Sequence, residues 1–291
     1  MTPAQSGHLA MLAFSALVAG SFSLGVLAAP YIEPAALNVV RFVIAAVIVG
    51  TAAALTTGIP RSAFQGFWRY LLMGGVFGTY FVLMFEGLKT ADPVAAAAVF
   101  TLVPVMAAGF GWLLLRQITT PRMAMALMIG AIGALWVIFR ADIEALLGFE
   151  IGRGELIYFW GCVAHAIYTP LVPKLNRGEP AIVFTFGMLC GAIIMVGAYG
   201  AQDIMATDWL ALPGIVWITI FYVAICASAM TFVLMQYASL RLPSAKVMAY
   251  TYLVPSWVIL WEIAKGSGLP PLAILAGVVL TILSLILLLK D

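Results

Sequence analysis

Two ionisable side chains, Arg41 and His165, stand well inside long apolar stretches of this chain of 291 residues. Charge is costly to hold in such a setting, so each is a functional candidate by default. Arg41 lies seven residues into its stretch, about 10 Å from the end at a helical rise of about 1.5 Å per residue. Two roles fit it: a structural arginine bonded to carbonyls where helices meet, or an electrostatic partner for a substrate carboxylate. His165 is accompanied by only one other histidine, His8 near the terminus, and the nearest acids are not at helical spacing. A metal site is therefore not expected. His165 is either a neutral hydrogen-bonding group, a polar group facing a cavity, or a proton-coupling group, since histidine titrates near neutral pH.

Aromatic groups form a second set. Tyr80, Trp160, Tyr168, Tyr222, Tyr250, Tyr252 and Trp257 fall inside apolar stretches, away from the interfacial belt where Tyr and Trp usually collect. A phenol hydroxyl in hydrocarbon must find a partner. Lining a wet cavity meets that need and gives flat walls for a ring-bearing solute; packing with the hydroxyl on a backbone carbonyl meets it too. Pro104 and Pro255 each fall near the middle of an apolar stretch, where proline removes a hydrogen bond and crowds the preceding turn. They are candidate hinges, or fixed bends. Cys162, Cys190 and Cys226 have no CxxC spacing and read as small buried apolar groups. Glu86 and Glu262 lie near the ends of stretches and read as interfacial.

The elements that must position these groups follow from composition. Of all residues 64% are hydrophobic and 9% charged, with a mean hydropathy of +1.12. A soluble domain carries roughly 25% charged residues, so the surrounding solvent must be lipid. The net charge of +2, without a basic run, excludes nucleic acid as a partner. Cut at charged and Pro/Gly-rich breaks, the chain gives ten spans: 8–29, 34–57, 67–88, 92–115, 120–139, 154–172, 180–200, 213–238, 243–264 and 270–289. The first ends in Leu27-Ala28-Ala29-Pro30, loosely like a signal-peptide cleavage site. No Lys or Arg precedes it, however, and its apolar run is too long for a leader.

Loop charge sets an expected orientation. Arg61, Arg69, Arg116, Arg122, Lys174, Arg177, Arg241, Lys246 and Lys290 share the side of the N-terminus, against Lys89, Arg140, Arg153 and Lys265. Nine against four predicts both termini in the cytoplasm, with the protein in the plasma (inner) membrane. The acids Asp142, Glu144, Glu150, Asp203 and Asp208 gather on the other side.

An internal repeat orders the whole. Phe81-Val82-Leu83-Met84 recurs as Phe232-Val233-Leu234-Met235, and Leu102-Val103-Pro104 as Leu253-Val254-Pro255, both at an offset of 151. Glu33-Pro34-Ala35 recurs as Glu179-Pro180-Ala181 at 146. The slip of five residues is expected as an insertion in a loop or helix end. The mate of Arg41 is Gly187. Two five-helix halves, residues 1–145 and 146–291, follow. Five is odd, so the second half enters the membrane from the opposite side. Inverted repeats of this kind suit alternating access at a midplane site.

With these features the chain resembles the drug/metabolite transporter superfamily, of the ten-helix EamA-like type. The resemblance rests on the two-times-five plan, the Arg41-Phe42 pair and the two Leu-Val-Pro motifs. It is most similar to amino-acid exporters of the YddG type. That resemblance implies a central cavity between the halves and export of aromatic and other neutral amino acids. Small multidrug exporters of the superfamily use an acid buried in the first helix; none stands between His8 and Ala29. Exchange of sugar phosphates or nucleotide sugars needs several buried cations, and Arg41 alone is available. No HExxH, GxSxG, buried acid pair or nucleotide-binding loop points to a membrane enzyme.

The expectations are thus an all-α integral membrane protein that carries small neutral or zwitterionic metabolites. Its partners would be lipid and solute, with no cofactor and no metal. The candidate substrate-binding residues are Tyr80, His165, Tyr168, Tyr250, Tyr252, Trp160 and Arg41, with Pro104 and Pro255 as hinges.

Overall fold

The computed structural model describes residues 2–91, 93–148, 151–264 and 271–289, and every regular element among them is helical. Glu150, Lys265 and Lys290, and the side chain of Glu262, lie outside the described residues. Ten helical passages result. Three are α1 (Pro3–Ala28), α2 (Pro34–Thr56) and α3 (Trp68–Leu88). The fourth is split into α4 (Pro93–Phe100) and α5 (Val103–Leu115), and the fifth is α6 (Pro121–Ile138). After the short α7 (Ile143–Leu147) come α8 (Arg153–Leu175) and α9 (Ala181–Tyr199), then the short α10 (Ala201–Ala206). The eighth passage is α11 (Gly214–Ala224), a π-helix (Ile225–Met230) and α12 (Thr231–Ser239). The ninth is α13 (Ser244–Ala249), a 3-10 turn (Tyr250–Leu253) and α14 (Val254–Ala264), and the tenth is α15 (Ile274–Leu289). Eight of the ten are apolar and long enough to cross a bilayer, among the described residues.

Local sequence explains where the passages begin. α1, α2 and α6 open with Pro in the first turn, where the backbone N–H has no partner to lose. Thr2 and Gln5 close a capping box at α1, and Thr120 caps Met123 at 3.1 Å. One helix overruns its expected end: α8 continues through Pro170 and Pro173 to Leu175. Both Leu-Val-Pro motifs mark more than a kink. At each the helix stops and restarts, so Pro104 and Pro255 stand in the first turn of α5 and α14.

The passages run as an antiparallel bundle. Tyr222 donates to Leu17 O and Tyr237 to Ser6 Oγ, both at 3.0 Å, so the eighth passage descends along the ascending α1. α3 packs on α8 and α9, while its mate five passages on packs on α1 and α2. The fourth passage lies on α8 and the ninth on α1; α6 pairs with α15, and α2 with α9. Exchanging each passage with the one five places later maps this packing onto itself. At the α3–α9 crossing the backbones touch: a Cβ on Gly74 would collide with Ala192 N, and one on Gly191 with Tyr70 O.

The five-residue slip of the repeat is not in a loop or helix end. From Glu33 to the start of α3, and from Glu179 to the start of α11, the chain runs the same 35 residues. α3 itself has 21 residues, and the eighth passage has 26. The slip therefore lies inside a transmembrane helix, in the passage that contains the π-helix.

Candidate functional site

His165 is the thirteenth of the 23 residues of α8 and so sits at mid-passage. Three rings from two elements, α3 and α4, surround it: Tyr80 at 4.4 Å between centroids, Phe77 at 5.4 Å and Phe100 at 5.9 Å. Tyr168, one helical turn on, stacks on Phe77 at 4.0 Å and 14°. Its hydroxyl accepts a hydrogen bond from Gln236 Nε2 at 2.9 Å. The repeat-related Phe81 and Phe232 meet at 5.6 Å, so the axis relating the halves passes close to this cluster. Helical spacing delivers the set: Phe77, Tyr80 and Phe81 share a face of α3, and Phe232 and Gln236 share one of α12.

Hydrogen bonding distinguishes this place. Most polar groups elsewhere in the core are paired, among them Asn38 with Pro34 O, Thr219 with Ile215 O and Ser284 with Ala126 O, while Ser239 Oγ, Tyr252 Oη and Ser256 Oγ are not. Here both ring nitrogens of His165, Thr231 Oγ1 and Gln236 Oε1 are buried without a partner. The Tyr158 ring stands 6.3 Å from those of both Tyr80 and Phe100. A neutral imidazole offers one donor and one acceptor, and an unpaired buried polar group costs about 1–3 kcal/mol. The walls are flat and apolar, and no group of metal-ligating side chains forms among the described residues.

Arg41 borders the cluster but is turned into the protein. Its guanidinium lies 4.0 Å from the Phe81 ring and 6.0 Å from that of Phe232. It donates to Ser228 Oγ and Ala227 O, both at 2.8 Å, and to Asn38 Oδ1 at 3.2 Å. Of the other candidates, Tyr80, His165 and Tyr168 come together in the cluster. Tyr250 stands on the 3-10 turn with its hydroxyl 2.9 Å from His8 Nδ1. Tyr252 packs against Gly130 of α6, and its hydroxyl is unpaired. Trp160 faces outward, 58% exposed, edge-on to Phe159. Tyr222 and Trp257 bind α1 through Leu17 O and Ser15 Oγ. Pro104 and Pro255 sit where the fourth and ninth passages restart.

Sequence reasoning passed over Phe77, Phe100, Tyr158, Thr231 and Gln236. A signal existed for two of them: Tyr158 stands seven residues before His165, hence on its face, and Gln236 is an amide inside an apolar run.

Arg41 apart, the ion pairs among the described residues lie at the ends of the bundle. Lys89 pairs with Glu33 at 2.6 Å and Glu86 at 3.0 Å at the far end of α3. Partial burial opposes the lysine's charge, yet hydrogen bonds to the two carboxylates hold its pKa above the usual value. At the other end buried Arg69 pairs with Glu179 at 2.8 Å and donates to Leu175 O at 2.6 Å. Burial pushes Glu179 up, but hydrogen bonds from Arg69 and the Arg177 backbone outweigh it, so its pKa lies below the usual carboxylate value.

A family model described as the EamA-like transporter family matches residues 5–139 and again 152–290. An uncharacterized transporter, YyaM of Bacillus subtilis (strain 168), is 26% identical over 285 residues, covering 96% of this chain and 92% of that one. A solved crystal structure, 20% identical, shares the fold at a TM-score of 0.76 over 98% of this chain and 96% of that one.

Proposed function

The chain belongs to the EamA-like transporter family, and from that premise we propose that it exports neutral amino acids, aromatic ones among them, by alternating access. It is an integral membrane transporter of small molecules; the substrate class and the mechanism are our reading. The observation that carries it is the pair of unpartnered His165 nitrogens, enclosed by Tyr80, Phe77 and Phe100 beside the unpaired Gln236 Oε1. A zwitterion with an apolar or aromatic side chain brings both donors and acceptors for these atoms, and rings to stack on it. Among the described residues no free cation lines the cluster, which argues against phosphorylated solutes.

The two segments matched by the family model support two repeats, residues 1–145 and 146–291, of opposite orientation. In this reading the rings around His165 part to admit the solute and close behind it. Tyr250 and Tyr252, on the broken ninth passage, line the route toward the N-terminal side. The restarts at Pro104 and Pro255 supply matched bending points in the two halves. The excess of loop cations supports cytoplasmic termini in the plasma (inner) membrane.

The test is counterflow of labelled phenylalanine and leucine in vesicles reconstituted with the purified protein. Exchange above that of empty vesicles, competed by unlabelled neutral amino acids, is expected. If no amino acid exchanges while another metabolite does, the substrate assignment is wrong.

A further inference from the structure

The eighth passage departs from its repeat mate in two ways, and Arg41 touches the place where it does so. Five residues have been added between the passage start and the Phe-Val-Leu-Met motif. In an unbroken α-helix, at about 100° per residue, they would turn the following face by about 140°. Phe232, Thr231 and Gln236 would then point away from the cluster. A π-turn absorbs one extra residue. The remaining four add about one turn and leave the face within about 40° of its repeat position.

The wide turn needs a partner for what it loosens. Ser228 Oγ donates to Val223 O at 2.7 Å, five residues back, and accepts from Arg41 Nε. Ala227 O accepts from the second arm of the same guanidinium. The fork of an arginine reaches both acceptors at once; a lysine ammonium lacks that geometry. The mate of Arg41 is Gly187, and the mate of the eighth passage, α3, is a plain α-helix. Arginine and π-turn thus meet where the second passage touches the eighth, and both are missing at the repeat-related contact, where Gly187 of α9 lies against Tyr70 of α3.

The geometry points to Arg41 as a positioning residue: it fixes the π-turn at Ile225–Met230, which sets the register of Thr231, Phe232 and Gln236 at the transport site. Arg41 acts through α12 and does not itself hold the solute carboxylate. The inference rests on the site proposed above for its functional meaning, while its structural half can be read without transport.

The experiment uses the full chain in membranes, with Cys162, Cys190 and Cys226 replaced and cysteines introduced by Tyr168→Cys and Gln236→Cys. A short thiol cross-linker joins the pair when α12 is in register. Replacing Arg41 by Ala should lower the cross-linked fraction of folded protein about tenfold or more, as for loss of a charge-assisted hydrogen bond; deleting Ala229 as well, which removes the residue that the π-turn absorbs, should restore it. Arg41→Lys, which keeps the charge, should fall on the same side, and it carries the test if Arg41→Ala does not accumulate. In vesicles, Arg41→Ala should impair an amino acid and its carboxyl-free amide alike. Unchanged cross-linking in folded Arg41→Ala protein overturns the proposal, and so does a transport loss confined to the carboxylate-bearing solute. Intact cross-linking behaviour in a protein that moves no amino acid would instead refute the substrate assignment alone.

Discussion

Replacing His165 by Leu separates a structural histidine from one kept for a solute. In the structure neither ring nitrogen has a partner, and the residue is 2% exposed. Removing an unpaired buried polar group relieves about 1–3 kcal/mol. Against that, the substitution gives up the ring contacts with Tyr80, Phe77 and Phe100, of which a close pair contributes about 0.5–1.5 kcal/mol. Over the three pairs the loss is about 1.5–4.5 kcal/mol, so the terms nearly offset and His165→Leu should unfold close to the temperature of the parent protein. Transport per folded molecule should fall at least about tenfold, the equivalent of one lost hydrogen bond of about 1.4 kcal/mol.

Two measurements decide it: thermal unfolding in detergent followed by size-exclusion chromatography, and counterflow in vesicles corrected for the amount of folded protein. A structural histidine gives the opposite pattern. The variant would then melt earlier, by an amount like that of an ordinary core truncation of about 2–5 kcal/mol, with the turnover of surviving molecules unchanged. That result would remove the observation on which the site rests.

Other outcomes follow from the same geometry. Glu179→Gln leaves Arg69 charged and buried and should destabilise the protein by about 3–5 kcal/mol, visible in the same unfolding assay. Because the folded pKa of Glu179 is depressed, its contribution is present above the unfolded value and lost as pH falls through the folded one. Melting temperature should therefore drop as pH falls below about 4.3, and Glu179→Gln should flatten that dependence. Pro255→Ala should not deliver the roughly 3 kcal/mol expected for removing a proline from a helix interior, since Pro255 occupies a first turn; a large gain in melting temperature would contradict the break. Trp160→Ala should leave counterflow per molecule unchanged, and a loss comparable to that of His165→Leu would place the tryptophan at the site. Gly191→Leu should abolish folded protein, because its side chain would meet the Tyr70 carbonyl; normal yield would mean that α3 and α9 are not in backbone contact.

The passages were legible because hydropathy alone selects segments that must avoid water, and their observed ends fall within about five residues of the expected ones. The short α7 and α10 were not, since neither has the length or apolar run that marks a span. Of the site, Tyr80, His165 and Tyr168 could be read because aromatic and titratable groups in mid-span are rare enough to notice. Trp160 misled for a rotational reason. It lies five residues before His165, about 500° around the helix, hence toward the opposite face, and sequence gave no sign of which face looked inward. Gln236 carries neither charge nor ring, the two marks that single out Tyr80, His165 and Tyr168, although an amide in hydrocarbon is as demanding of partners. The π-helix has no composition of its own. Only the length difference between repeat-related passages betrays it, and that requires both helix starts to be known.

The Glu-Pro-Ala repeat shows how a symmetric sequence builds an asymmetric machine. Glu33 and Glu179 precede mates, α2 and α9, yet their side chains pair at the same helix, α3, one at each end. The eighth passage, mate of α3, is held at its middle by Arg41. The two ends of α3 are also unequal. Lys89 and Glu33 are 29% and 55% exposed, and a pair so hydrated contributes about 0–1 kcal/mol. Arg69 and Glu179 are 1% and 8% exposed, and separating a pair so buried costs about 3–5 kcal/mol. Parting α3 from α2 at the Lys89 end is therefore the cheaper motion by several kcal/mol. Two halves related by sequence thus need not open with equal ease on the two faces of the membrane.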